Sequence, residues 1–227
     1  VGMIEQILRH PEARLTALVA VADVGRRIDE VYPHLDGHCG MEVLAADDER
    51  ALEPADLVVL ATPDRVGMER APAELDAGAR VIDYSGDFRF NDTDAYRDYA
   101  QRLGRDPDHL AEGLLGGAVY GLPELHREAI AGARLVGNAG CFAVSCLLGL
   151  APAVSEGLVD PASLICDCKT GVSGAGKKPS PVFHYPARYE QMNAYRLGGH
   201  QHVCEVEREL GLLAGGPVTL TFTAQVV

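Results

Sequence analysis

The sequence predicts an α/β protein, with a parallel sheet covered by helices over residues 1–140 and a mixed-sheet α+β region over residues 141–227. Three observations carry this reading. Apolar runs of strand length recur through the first 140 residues, alternating with segments of helical periodicity. Those runs are apolar on both faces, as parallel strands covered on each side must be. After Cys141 the pattern changes to a long apolar helix, a strand, a glycine-rich stretch, an amphipathic helix and a strand alternating apolar with polar residues.

Element by element, 2–10 sets Met3, Ile4, Ile7 and Leu8 on one helical face, and Pro11 ends it. Residues 15–22 (LTALVAVA) read as a strand, and 55–62 (ADLVVLAT), closed by Pro63, as another. A helix over 64–77 stops at Gly78, and 80–84 and 134–137 are shorter strands. Ligands on such sheets gather at the carboxyl ends of strands, here the loops starting at Asp23, Pro63, Ser85 and Asn138. Further on, 141–154 (CFAVSCLLGLAPAV) is a buried helix, weakened by Gly149 and ended near Pro152. A strand over 163–170, a long loop over 171–199, a helix over 203–213 and a strand over 218–227 complete the order. A dinucleotide fold opens with a strand and a glycine-rich turn before its first helix. Neither precedes this helix, and the chain stops inside its last strand, so both regions are expected to be truncated.

Composition narrows the function. The 227 residues are 47% hydrophobic, enough for a substantial core. Lys+Arg is 20 against Asp+Glu 33, a net charge of −13 that argues against nucleic acid or an anionic membrane as partner. No uninterrupted apolar run reaches the ~18 residues a membrane span needs, and no secretion signal opens the chain. Six cysteines without a C-x-x-C pair read as reduced thiols of a cytoplasmic protein, with Cys166 and Cys168 read as facing opposite sides of their strand.

Four motifs carry chemistry. In GNAGC (137–141) a strand, a glycine turn and a helix place Cys141 at a helix N-terminus, where unpaired N–H groups favour a thiolate and can hold an oxyanion. The plain alternative is a buried thiol packed as a small hydrophobe. In GGHQH (198–202), His200 and His202 offer an acid/base near neutral pH, or two metal ligands lacking an obvious third, or a helix cap. KTGVSGAGKK (169–178) is a glycine loop with lysines that suits an anion, or else a solvated surface loop. From Lys169 to His200 there are five Lys/Arg residues and one acid, Glu190. DYSGDFRF (83–90) brings Ser85, Gly86 and Arg89 to a strand end, to meet a ligand or to form a turn around Asp87.

As a set, GNAGCFAVS, KTGVSGAGKK and GGHQHVCEVEREL, with YSGDFRF and YGLPEL before them, resemble the N-acetyl-gamma-glutamyl-phosphate reductases, part of the wider aspartate-semialdehyde dehydrogenase group. The resemblance runs from Gly2 to Val227. It implies an NADP-binding Rossmann domain (1–140, without its first strand and glycine-rich loop) joined to a catalytic, substrate-binding domain (141–227). It further implies NADPH-dependent reduction of an acyl phosphate through a cysteine thioester, in a cytoplasmic homo-oligomer, dimer or tetramer, of arginine biosynthesis. Cys141 would be the nucleophile and His200 the acid/base. Ala61, Thr62, Pro63, Ser173, Gly174, Ala175 and Gly176 would approach the cofactor. Ser85, Arg89, Asn138, Lys177, Lys178 and His202 would face the substrate, and no metal is implied.

The chain departs from the family at Ala139 (usually Pro), at Phe142-Ala143-Val144 (usually aromatic-Pro-Thr), at Gln201 (usually Arg) and at Cys204-Glu205-Val206 (usually Pro-Glu-Ile). Asp23 stands where an acid disfavours a ribose 2′-phosphate, with Arg26 and Arg27 close behind. Alternatives are a sister reductase acting on aspartyl phosphate or carrier-linked aminoadipyl phosphate, a thiol hydrolase or acyltransferase without nicotinamide, and a non-catalytic binding module or inactive fragment.

Overall fold

The computed structural model describes residues 1–176 and 178–227; Lys177, expected to hold phosphate, lies outside the described residues. The chain divides into two compact units, Val1–Asp56 and Leu57–Val227.

In the first unit, α1 (Gly2–Arg9) precedes β1 (Leu18–Val19), α2 (Ile28–Val31) and β2 (Val43–Leu44). β1 and β2 pair in parallel, Leu18 with Val43 and Val19 with Leu44. A small core of Ile28, Leu35, Cys39 and Val43 has Ile4, Leu15 and Leu18 packed against it. The strand expected over 15–22 is therefore much shorter, because only Leu18 and Val19 find ladder partners, and Val21 is exposed.

In the second unit, β3 (Leu57–Leu60), β4 (Arg80–Asp83), β5 (Ala118–Gly121) and β6 (Leu135–Asn138) form a parallel sheet in the order β3-β4-β6-β5. The connections are α3 (Val66–Asp76) after β3, α4 (Thr93–Arg102) and α5 (Glu112–Leu115) after β4, and α6 (Pro123–Gly132) after β5. Both α/β architecture and parallel pairing agree with the sequence expectation for this region. The Asp87 carboxylate caps α3 by accepting the Arg65 N–H at 2.8 Å and the Met68 N–H at 3.1 Å. α7 (Cys141–Ser155) then leads to a mixed sheet of β7 (Leu164–Thr170), β8 (Asn193–Tyr195) and β9 (Leu220–Val226), with α8 (Tyr185–Arg188) before β8 and α9 (His202–Ala214) before β9. β9 is central, parallel to β7 and antiparallel to β8. α7 and α9 pack on one face of this sheet around Phe142, Leu147, Val206, Leu210 and Phe222.

Two expectations are corrected here. Pro152 does not end α7; it sits in the last turn and the helix runs on to Ser155, forgoing only the one bond a proline nitrogen cannot donate. Cys166 and Cys168 share the inner face of β7, since residues two apart on a strand point the same way. The Cys146 sulfur lies 3.6 Å from that of Cys168.

Candidate functional site

The register sets Leu60 beside Asp83 and Asp83 beside Gly137, so the carboxyl ends of β3, β4 and β6 lie next to one another. β6 passes so close to the Phe88 carbonyl that a Cβ on Gly137 would collide with it. Beyond Asn138 the backbone turns through buried Ala139 and Gly140 into α7. Cys141 is the first helical residue and is exposed, whereas Cys39, Cys146 and Cys166 are buried and Cys168 and Cys204 half-buried. Among the described residues no side chain caps this helix start, and no acid stands in its first turn. Its leading amides can therefore serve an oxyanion placed beside the sulfur.

Glu205, fully buried on α9, holds this turn from beneath. Its carboxylate accepts the Gly140 N–H at 3.0 Å, the Tyr120 hydroxyl at 3.0 Å and a guanidinium N–H of Arg89 at 3.0 Å. Arg89 also donates to the Asn138 carbonyl at 2.8 Å and the Tyr84 carbonyl at 3.2 Å. A Cβ on Gly140 would stand 2.5 Å from His202 Nε2 and 2.8 Å from Glu205 Oε1, so only glycine fits. Burial and the Glu205 charge push the Tyr120 hydroxyl far above its ordinary pKa, keeping it a donor. Glu205 was not singled out in the sequence. The available signal is an acid on the apolar face of α9, flanked by the buried Val203 and Val206.

Arg89 and Ser85, expected to meet substrate, both lie buried and engaged with the protein. Arg89 braces the turn as above, and the Ser85 hydroxyl donates to the Asp83 carboxylate at 2.5 Å. Burial raises the Asp83 pKa to about 6, against the Ser85 hydrogen bond. The Asn138 side-chain amide donates to the Ala139 carbonyl at 3.3 Å.

His200 and His202 flank the start of α9, their rings 4.9 Å apart. The His200 ring meets Phe142 edge-on at 5.6 Å, Tyr195 at 5.7 Å and Phe222 at 4.9 Å. Its Nδ1 accepts the His202 backbone N–H at 3.2 Å, which puts the proton of the neutral ring on Nε2. Burial, then the neighbouring His202 and Arg196, lower its pKa to about 4. Burial, then Arg89 and Arg196, lower that of His202 to about 3. Both rings are thus neutral at pH 7, unlike the near-neutral titration expected from sequence, because aromatic neighbours exclude the water that would solvate an imidazolium. The His202 Nδ1 is buried and has no hydrogen-bond partner among the described residues. Burial raises the Tyr195 hydroxyl pKa, and the adjacent Cys141 sulfur pushes the same way.

The structure therefore packs His200, His202 and Tyr195 together against Phe142 of α7, and the charge of Cys141 reaches the Tyr195 hydroxyl. It leaves Ser173, Gly174, Ala175, Gly176 and Lys178 exposed on the loop after β7, with residues 172–175 forming a 3-10 turn. Lys169 is paired with Asp167. At the carboxyl end of β3, Ala61 and Pro63 are exposed, and the buried Thr62 hydroxyl has no partner among the described residues. An orphaned hydroxyl at a parallel strand end suits a polar cofactor group. In the first unit, the Asp23 carboxylate pairs with an Arg26 guanidinium at 2.7 Å.

Comparison with known proteins gives the family. Residues 1–133 match the profile "Semialdehyde dehydrogenase, NAD binding domain" and residues 141–227 match "Semialdehyde dehydrogenase, dimerisation domain". The N-acetyl-gamma-glutamyl-phosphate reductase of Syntrophobacter fumaroxidans is 44% identical over 96% of this chain and 62% of its own length. The reductase of the same name from Ectopseudomonas mendocina is 42% identical over 98% of this chain and 63% of its own. The solved aspartate semialdehyde dehydrogenase of Candida albicans, with NADP, shares the fold at a TM-score of 0.65 and 14% identity, covering 99% of this chain and 63% of that one. Aspartate semialdehyde dehydrogenase II of Vibrio cholerae does so at 0.64 and 14%, over 100% and 66%. The chain spans a little under two thirds of the length of the curated relatives it matches. No helix among the described residues is long and apolar enough to cross a membrane. With both halves matched in order, the chain belongs to the semialdehyde dehydrogenase family.

Proposed function

We propose that this chain is the core of an NADPH-dependent reductase converting N-acetyl-gamma-glutamyl phosphate to N-acetylglutamate semialdehyde and phosphate, a step of cytoplasmic arginine biosynthesis. One observation carries the reading. The exposed Cys141 opens α7 over an anchored turn, and the next residue, Phe142, packs its ring against that of His200. The names of the relatives favour this acyl group over aspartyl or aminoadipyl phosphate.

In this reading Cys141 attacks the acyl carbon, displaces phosphate and becomes a thioester. The α7 amides and the Nε2–H of His200 stabilise charge on the carbonyl oxygen as it turns tetrahedral. NADPH, when bound, supplies the hydride. The tetrahedral adduct then collapses to the aldehyde and frees the Cys141 sulfur. Thr62, with Ala61 and Pro63, and the exposed 173–176 turn hold the cofactor, the orphaned Thr62 hydroxyl being the feature that supports it. His202, Asn138 and Lys178 face the substrate, while Arg89 and Ser85 position it indirectly, through the turn and the β4 end. The division of labour falls at residues 140/141, with 1–140 for the dinucleotide and 141–227 for catalysis. The dimerisation profile over 141–227 supports a homo-oligomer, dimer or tetramer, and the net charge of −13 supports a small-molecule rather than a nucleic-acid partner.

The test runs the reaction backwards. The chain with N-acetylglutamate semialdehyde, phosphate and NADP is expected to produce NADPH absorbance, and Cys141→Ser to lower that rate by about 10³-fold or more while melting like the parent. Turnover with aspartate semialdehyde alone, or an undiminished rate in Cys141→Ser, overturns the reading.

A further inference from the structure

Arg196 ends β8 in an uncommon way. Its φ of 47° lies in the left-handed region that non-glycine residues seldom adopt and that persists where the surroundings impose it. The turn it opens closes on itself, the Gly199 N–H donating to the Arg196 carbonyl at 3.2 Å, with Gly198 at φ 71°. The guanidinium is thereby returned to α9, where one N–H donates to the Gln201 side-chain oxygen. Arg65, Arg89, Arg102, Arg105 and Arg208 each pair with a carboxylate; Arg196 is exposed and, like Arg80, Arg134 and Arg188, has no such partner among the described residues, but where those three donate to backbone carbonyls its own bond is to a side chain. Its neighbours Tyr195 and Gln201 flank the His200 and His202 rings, and its charge helps hold both rings neutral. A cation without a counter-charge, fixed at one arm and acting on the same Tyr195 hydroxyl that the charge of the exposed Cys141 reaches, leaves its other N–H groups to grip an incoming oxyanion.

We infer that Arg196, oriented by Gln201, is a substrate-binding residue that takes an oxyanion of the substrate, phosphoryl or carboxylate, beside Cys141. The inference rests on the proposed reductase reading only for the identity of that substrate.

The test reads binding instead of turnover. Iodoacetamide alkylation of Cys141 is followed by mass spectrometry in the 227-residue chain against rising inorganic phosphate and, separately, N-acetylglutamate. Each rate is normalised to the same variant without ligand. Arg196→Ala is expected to raise the half-protecting concentration roughly 10-fold to 100-fold, the range for a lost hydrogen bond to a charged group. Arg196→Gly, which relieves the left-handed backbone, should show the same loss, so that a misfolded variant cannot imitate it. Arg196→Lys should recover part of the protection, and Gln201→Ala should lose a smaller part. A shift confined to phosphate assigns the phosphoryl group, and one confined to N-acetylglutamate assigns the carboxylate. No shift with either ligand, or no protection of the unmodified chain by either, overturns the inference. Arg196-dependent protection without reductase turnover keeps this inference and discards the earlier reading; turnover with Arg196-independent protection does the reverse.

Discussion

The turn that delivers Cys141 and the loop from Gly171 to Gly199 are both glycine-rich, yet the structure treats them in opposite ways. Ala139 and Gly140 are buried, and the turn is tied through Glu205 and Arg89 to β4, β5, β6 and α9. Residues 171–176 are all exposed, and their few bonds are local, such as Gly176 N–H to the Ser173 carbonyl at 3.1 Å. The contrast teaches that glycine serves two physical ends here. In the turn it lets buried groups approach a backbone that must not move. In the loop its N–H groups bond to the loop's own carbonyls, and the segment stays open to solvent.

Breaking the anchored region has the largest expected effect. Glu205→Ala leaves the buried Arg89 charge, the Tyr120 hydroxyl and the Gly140 N–H without their shared acceptor. Removing one partner of a buried ion pair costs about 3–5 kcal/mol, and urea unfolding of the variant should show a loss of that order. Glu205→Gln keeps an acceptor oxygen and should lose less. A Glu205→Ala variant within about 1 kcal/mol of the parent would mean that the turn holds its shape without the carboxylate.

The middle effect is a pH dependence. The His200 and His202 pKa values, about 4 and about 3, lie below the ordinary 6.5. The unfolded chain therefore binds more protons than the folded one below pH 6.5, so stability falls as pH drops from about 6.5 towards 4. Asp83, raised to about 6, works in the other direction, its contribution being lost as pH rises from 3.8 to about 6. The unfolding free energy from urea titrations should fall by about 1–3 kcal/mol between pH 7 and 4.5, and more steeply in Asp83→Asn, where the opposing contribution is gone. A flat profile in Asp83→Asn would show that solvent reaches the histidine pair.

What the sequence revealed follows the same division. β3, α7 and β9 were legible because each is a nearly unbroken or alternating apolar run, and β4 because its Val81-Ile82 pair follows the helix stop at Gly78. α4 was not. Its ten residues (TDAYRDYAQR) are mostly polar, and it is buried through Tyr96, Tyr99 and Ala100; the Asp92 cap accepting the Ala95 N–H was its one local signal. β5 (AVYG) is too short to show a period, and its pairing with β6 is non-local. At the site, Cys141 and His200 stood out because they lie in glycine-marked motifs. Glu205 escaped because its partners Gly140, Tyr120 and Arg89 are 65, 85 and 116 residues away. His200 was assigned a near-neutral titration because nothing local announces the rings of Phe142, Tyr195 and Phe222 around it.

The smallest expected effect belongs to the exposed loop, and it sharpens the comparison by its salt dependence. Lys178 is exposed and forms no ion pair among the described residues, so Lys178→Ala should change stability by less than about 0.5 kcal/mol. If the lysine attracts an anionic substrate through solvent, the variant should raise the KM for phosphate a few-fold at low salt, the scale of an exposed charge pair. That difference should vanish near 1 M salt, where the screening length shrinks to about 3 Å. A KM difference that survives high salt would instead place the ammonium in direct, water-excluding contact with the phosphoryl group. The loop would then close over its ligand as tightly as the turn holds Cys141, and the two regions would differ only in whether the anchor is built in or arrives with the substrate.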